Sequence, residues 1–472
     1  MRNLPRKSSR YVGVLYRSSS HRIVEKNSDG TQRHFDCPKM LQLKFGHDRT
    51  IMPSSDGSSR QSRDSIRMSL PSRRRFLKGL GGVGLASVLG DPPRAAPDDS
   101  QLPFANGRRF FASNFPQKGS MILQRTRPPL LETPFDVFDR GVFTPNDRFY
   151  VRWHLANIPT VVDPVTFRLK IHGHVKRPLA LTLSDLVRQF ASTEYAAVNQ
   201  CSGNSRGFFQ PRVAGGQWAN GAMGNALWRG VAVKALLERA GVKAGAIQVR
   251  FNGLDTGILA QTPDFMKSLA IDHSLDGEVM IAYAMNGERM PLLNGYPLRL
   301  VVPGWYATYW VKMLDDIEVL DEPDENFWMS RAYLIPDTPG ADITPGQQGV
   351  KTVPISRMLP RAFFTNIADS ARVNVGETTQ LRGIAMGGDT AVARVLFSAD
   401  SGATWQDAEL GTDHGKYSFR TWQLAYRPLA QGQQILKVRT VNRTGESQPD
   451  HPNWNGAGFM RNVVETVTVN LV

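Results

Sequence analysis

Between residues 148 and 336 the chain alternates short strand-like runs with helix-like ones. Segments 149–155 and 167–175 read as strands, as do 247–251, 278–285 and 298–302. Segments 184–190 and 233–240 place apolar residues at helical spacing, and Gly241 stops the second. Together these predict a mixed α+β domain whose loops are longer and richer in glycine than packing requires. From about residue 344 the helical period disappears. Segments 380–385 and 393–398 are strand-like, and Asp400-Ser401-Gly402 turns the chain before Trp405. Segments 435–441 and 463–471 continue the pattern, with Val467, Val469 and Leu471 apolar between Thr468 and Asn470. Such a series of short strands predicts an immunoglobulin-like β-sandwich, joined to the first domain by a Pro/Gly linker at 336–349. Residues 97–140 are proline-rich and read as an extended arm, and no internal repeat is visible.

Charge changes the picture at the leading end. The chain carries 57 Lys and Arg against 42 Asp and Glu, a net charge of +15. Residues 1–96 hold 19 of the basic and 7 of the acidic residues, leaving 38 and 35 for the rest. The folded body is therefore close to neutral, and a nucleic-acid partner is not expected. Ser72-Arg73-Arg74-Arg75-Phe76-Leu77-Lys78 precedes a weakly apolar run at 79–90, the order of a twin-arginine export signal. As a helix that run reaches about 18 Å against a bilayer core of about 30 Å, so no membrane span is expected. The expected organisation is an extension or mis-called start at 1–67, with translation beginning at Met68, a signal at 68–96, and domains at 97–343 and 344–472. Twin-arginine transport carries folded proteins, which suits a cofactor inserted before export to the periplasm.

Candidate chemistry centres on Val198-Asn199-Gln200-Cys201-Ser202-Gly203-Asn204-Ser205-Arg206-Gly207-Phe208-Phe209. With Cys37 ahead of the expected start, Cys201 is the sole thiol of the exported body, so no disulfide can form within it. Small residues surround it, and Arg206 follows five positions on. Such a thiolate suits a soft, high-valent metal centre. The residues alone equally allow a buried structural cysteine, a cysteine hydrolase pairing Cys201 with His154, or an exported β-sandwich binding protein. No Cys-x-x-Cys-His haem site is present.

From about Phe143 to the end, the chain resembles the sulfite oxidase family of molybdenum enzymes, and within it the bacterial periplasmic sulfite dehydrogenases. The resemblance rests on Phe149-Tyr150-Val151-Arg152-Trp153-His154, the Cys201 loop through Gly230, 251–255, 286–312 and 328–333. It implies a mixed α+β molybdopterin-binding domain followed by an immunoglobulin-like dimerisation domain. It further implies oxidation of sulfite to sulfate, with electrons passed to a c-type cytochrome as a separate subunit or soluble carrier. A homodimer or heterodimer is expected. The runner-up is a sulfane dehydrogenase subunit of a thiosulfate-oxidising complex, against which the long loop 207–217 with Arg212 counts.

By the same resemblance Cys201 is the protein ligand to molybdenum. Arg152, Arg206 and Tyr333 are pocket residues that meet the substrate oxyanion. His154, two residues after Arg152, points the same way on a strand. Trp218 is an aromatic wall, and Arg461 is the candidate for a pocket arginine from the second domain. Phe149, Tyr150, Arg152, His154, Asp255, Asn294, Arg299, Trp310, Val311 and Lys312 are expected to hold the pterin cofactor, with Asn294 standing where some relatives place a histidine.

Overall fold

The computed structural model describes residues 99–472 and, ahead of them, the backbone of two antiparallel strands, Ile23–Lys26 and Gln32–Phe35. The twin-arginine segment and the remainder of 1–67 lie outside the described residues.

The expected extended arm is a sheet. Asp99–Gln101, Arg108–Ala112, Met121–Arg125 and Leu130–Glu132 pair in chain order, and Val151–Arg152 joins as a fifth strand. The prolines that suggested an open arm fall between strands, at Pro103, Pro116, Pro128 and Pro129, where a missing N–H breaks no ladder. Met121, Leu131, Val151 and Trp153 close a small core beneath it.

Two five-stranded sheets follow. In one, Gln248–Gly253 lies between Met266–Ala270 and Leu314–Leu320, and the last pairs in parallel with Leu169–Gly173, which carries Leu179–Leu181 at the edge. In the other, Ser192–Gln200 and Met223–Ala232 form a long antiparallel hairpin whose second strand pairs with Met280–Met285. Arg299–Val301 and Glu288–Arg289 complete it. Both sheets contribute to one large apolar core.

Helices are fewer than the mixed α+β reading implies. Among the described residues there are four α-helices, the longest being Val233–Ala240 with 8 residues. Its end is built as expected, with Gly241 at φ +70° closing the last turn. Leu183–Gln189 starts at a capping box in which Thr182 and Asp185 satisfy each other's backbone N–H groups. The molecule is therefore β-rich, because the strand-like runs and the segment 99–132 pair into sheets while the helices stay short.

After residue 360 two sheets face a common core. One holds Arg361–Phe364, Thr379–Met386, Arg420–Tyr426 and Glu409–Leu410; the other holds Arg372–Val373, Glu465–Leu471, Gly432–Asn442, Val392–Ser398 and Gln406–Asp407. Phe364, Leu381 and Trp422 from the first meet Val395, Phe397, Leu436 and Val469 from the second. The alternation at 467–471 is realised, with Val467, Val469 and Leu471 all buried.

The strand expected at 149–155 shortens to Val151–Arg152. What places the chemistry is the long hairpin. Gln200 faces Met223 at its end, so Cys201 to Ala222 form a loop leaving its tip.

Candidate active site

The cysteine loop is closed at its base by backbone. Cys201 N donates to Ala222 O at 2.9 Å, and Ala222 N donates to Asn204 Oδ1 at 2.9 Å. Asn204 N returns to Cys201 O at 3.0 Å, and Ser205 turns the chain at φ +70°. These bonds hold Cys201 at the edge of a cavity. Its wall is Tyr150, Arg152, His154, Cys201, Ser202, Leu293, Asn294, Arg299, Ala307, Thr308, Lys312 and Tyr333. Residues expected to cooperate, and separated by up to 183 positions in sequence, thus share one space.

The cavity is unusually rich in cations. Arg299 is fully buried, its Nη1 donating to Asn294 O at 2.8 Å and its Nη2 to Asn199 Oδ1 at 3.2 Å. Its guanidinium faces Trp228 and Trp310, and burial lowers it to about 10. Lys312 lies with Nζ 4.5 Å from the Trp153 ring centre. Burial, helped by repulsion from Arg299, pulls it down to about 7. Asp255 is the carboxylate that acts on Lys312, and burial raises Asp255 itself to about 6. Lys118, from the leading sheet, is buried behind Asn294 and donates to Asn294 Oδ1 at 2.5 Å, Asn146 O at 2.7 Å and Phe149 O at 2.8 Å. Burial lowers it to about 7.

On the Tyr333 side, the phenol oxygen and His154 Nε2 share a hydrogen bond of 2.5 Å. His154 stacks on Phe265, with ring centres 3.6 Å apart. Burial, reinforced by the charge of Arg152, drives it well below the ordinary histidine range, so the imidazole is neutral. Tyr333 adopts φ +57°, a costly conformation for a tyrosine. Ile355 N bonds its carbonyl at 2.9 Å, and Phe459 stacks on its ring at 5.3 Å.

The other expected residues lie around this space and do not line it. Arg206 is buried in a cradle made by the cysteine loop and the segment near 458. A Cβ at Gly203 would meet its guanidinium at 2.5 Å, and one at Gly458 its Nε at 2.8 Å, so a side chain at either position would displace it. Its Nη2 reaches Ala457 O at 3.2 Å, and its guanidinium faces Phe459 at 5.2 Å. Arg461 does not reach the cavity; it packs over Phe208 at 5.1 Å, under the influence of Glu465. Trp218, Phe149, Trp310 and Val311 are core residues beneath the wall. Asp255 is buried beyond Lys312.

Sequence reasoning missed Ser202, Thr308, Ala307 and Leu293 in the wall, and Asn199, Lys118 and Lys267 behind it. Asn199 had a weak signal, a polar residue near the end of the strand that delivers Cys201. The two lysines had none.

Several buried polar atoms here lack a protein partner: Arg152 Nη1, His154 Nδ1, Asn199 Nδ2, Ser202 Oγ, Arg206 Nε, Arg299 Nε and Thr308 Oγ1. Apart from His154 Nδ1, which accepts when the proton is on Nε2, all can donate, and buried donors in native proteins find acceptors. The chemistry demanded is an acceptor-rich, anionic group, which a phosphorylated pterin provides. Among the described residues no group of three or more His, Cys, Asp or Glu side chains could hold a metal ion, so metal at Cys201 needs ligands from a cofactor.

Comparison with known proteins agrees with this demand. Residues 155–328 match the oxidoreductase molybdopterin binding domain, and residues 355–471 match the Mo-co oxidoreductase dimerisation domain. The chain is 32% identical over 395 residues to mitochondrial sulfite oxidase from Mus musculus, across 80% of this chain and 70% of that one. It is 28% identical over 372 residues to an NADH nitrate reductase of Solanum lycopersicum, across 73% of this chain and 40% of that one. Among solved structures, the sulfane dehydrogenase SoxCD from Paracoccus pantotrophus superposes with a TM-score of 0.62 at 25% identity, across 73% of this chain and 87% of that one. A molybdenum–molybdopterin cofactor and oxidation of a sulfur compound follow from these relations together with the cavity. The chain belongs to the sulfite oxidase family of molybdopterin oxidoreductases.

Proposed function

We propose that this protein oxidises sulfite to sulfate and passes the electrons to a c-type cytochrome, after folded export to the periplasm by the twin-arginine route. The balanced step is sulfite plus water to sulfate, two protons and two electrons. The observation that supports it best is the set of buried cations and orphaned donors gathered around Cys201, with Asp255 the carboxylate that acts on Lys312. Such a site favours a small, multiply charged oxyanion over a neutral substrate.

When bound, the molybdenum–pterin group supplies a two-electron redox centre. Cys201 offers it a soft thiolate. Asn294, Arg299, Lys312 and Ser202 suit its anionic and pterin portions, while Asn199 keeps Arg299 aimed at the cavity. Arg152 and Tyr333 face the remaining space and receive the substrate. A neutral His154 that carries its proton on Nε2 donates to the phenol oxygen, leaving the Tyr333 O–H free to donate to an anionic oxygen. Arg206 adds fixed positive charge from behind. Residues matching a dimerisation domain support a dimer. Among the described residues no helix is long and apolar enough to cross a membrane.

Sulfane oxidation is the second reading, favoured by the superposition on SoxCD across 87% of that chain. Sulfite-dependent reduction of ferricytochrome c by protein from the exported fraction separates the two. A clear rate supports the sulfite reading. No rate in molybdenum-containing protein turns the assignment to sulfane oxidation, and no rate with no molybdenum defeats both.

A further inference from the structure

Lys267, in the strand Met266–Ala270, is fully buried beside Tyr333. Its Nζ donates to the carbonyl of Trp328 at 2.7 Å. Otherwise it faces aromatic rings, 4.6 Å from the centre of Tyr309 and 5.6 Å from that of Tyr333. Asp324 favours its cation from a distance, but that carboxylate is already engaged by Ser268, Asn326 and Arg250. Burial pulls Lys267 down to about 7. Arg152 also faces the Tyr333 ring, its guanidinium carbon 5.9 Å from the centre, and the charge of Arg206 acts on the same phenol. His154, also nearby, is neutral. A methionine would fill the place of Lys267 without burying a charge, so packing alone does not account for it.

Two features make the lysine act on the tyrosine. The Trp328 bond ties the short helix Phe327–Ser330 to the strand, immediately ahead of the left-handed turn at Tyr333. The cation over the ring also stabilises negative charge developing on the phenol oxygen and so strengthens its O–H as a donor. We propose that Lys267 is a positioning residue for Tyr333, a buried cation that orients the phenol and polarises it towards an anionic substrate. This deepens the oxyanion reading above and rests on it.

The test is a double-mutant cycle on molybdenum-loaded protein at pH 6, where a lysine lowered to about 7 is charged, with kcat and KM for sulfite measured for wild type, Lys267→Met, Lys267→Gln, Tyr333→Phe and the two double variants. Glutamine retains a donor for the Trp328 carbonyl without the charge. Expected is a rise in KM of about tenfold in both Lys267 variants, with kcat changed less, and a rise under about twofold once Tyr333 is phenylalanine. An equal loss in both backgrounds overturns the proposal, as does a wild-type KM in Lys267→Gln. Loss of molybdenum and of the melting transition in both single variants overturns it too, since the lysine then serves packing. If loaded wild-type protein shows no sulfite turnover, the sulfite reading fails separately. The cycle is then read from dissociation constants for inorganic sulfate, with the same pattern expected and the same patterns overturning.

Discussion

Two buried clusters of basic residues lie beside the cysteine loop, and they are compensated to different degrees. At the seam with the C-terminal sheets, Arg361 donates to Ser205 Oγ at 2.9 Å and lies 3.7 Å from Glu465. Asn220 Nδ2 bonds the same carboxylate at 3.1 Å, and Arg461 feels its charge. Burial raises Glu465, while Arg361 and then Arg461 draw it back. Around the cavity, Arg152, Arg206, Arg299 and Lys312 share one nearby carboxylate, Asp255, among the described residues; orphaned donors occur in both clusters, at Arg152, Arg206 and Arg299 here and at Arg361 and Arg461 there, so the ratio of cations to carboxylates is what separates them. A buried charge without a partner is costly. Where the chain supplies the partner the cluster is structural; where it does not, the partner is a ligand.

The largest expected effect lies at the cysteine. Cys201→Ser should lower sulfite turnover by at least about a thousandfold, with a melting curve close to wild type. Near-normal activity in that variant would remove the molybdenum-ligand assignment. The two clusters are then set against each other. Arg361→Met leaves Glu465 without its nearest cation and should cost about 3 kcal/mol in urea unfolding. Arg206→Met removes a cation with no carboxylate and should cost under about 1 kcal/mol, while lowering kcat/KM about a hundredfold. Equal stability losses in the two variants would erase the distinction.

The smallest effect is a pH dependence. Lys118 falls from its ordinary 10.5 to about 7 in the folded protein, so above 7 the unfolded chain binds the extra proton. Stability of the cofactor-free protein therefore rises with pH between about 7 and 10.5, and Lys118 contributes about 2 °C in melting temperature from pH 7 to 9. Lys267 and Lys312, lowered to about the same value, add to the rise, so Lys118→Met should reduce it by roughly a third, measured calorimetrically against wild type. A rise of the same size in the variant would place its origin elsewhere.

Local signals were legible where one segment satisfies its own requirements. The helix at Val233–Ala240 has its apolar stripe and its stopping glycine in a single stretch. The alternation of 467–471 declares which face is buried. The cavity residues from Tyr150 to Tyr333 came from resemblance to a family, and the wall contains eight of the expected site residues. Arg461 shows the limit, since its position along the chain suited a pocket role while its guanidinium went to Phe208 and Glu465. The leading sheet was missed because its strands are short, at most five residues, and separated by prolines that locally read as open chain.

By itself the sequence determined that a lone cysteine stands among small residues with an arginine five positions on, and that an all-β segment follows a mixed one. It also determined which faces of the strands are apolar, since side-chain alternation is a local property of the backbone. Only tertiary structure decided that Lys118 and Lys267 are buried beside the cavity, and that Arg206 is caged while Arg461 is turned away. Burial and charge compensation depend on groups that are distant in sequence. A lysine becomes exceptional only when the elements around it close and the nearest carboxylate stays too distant to offset its burial.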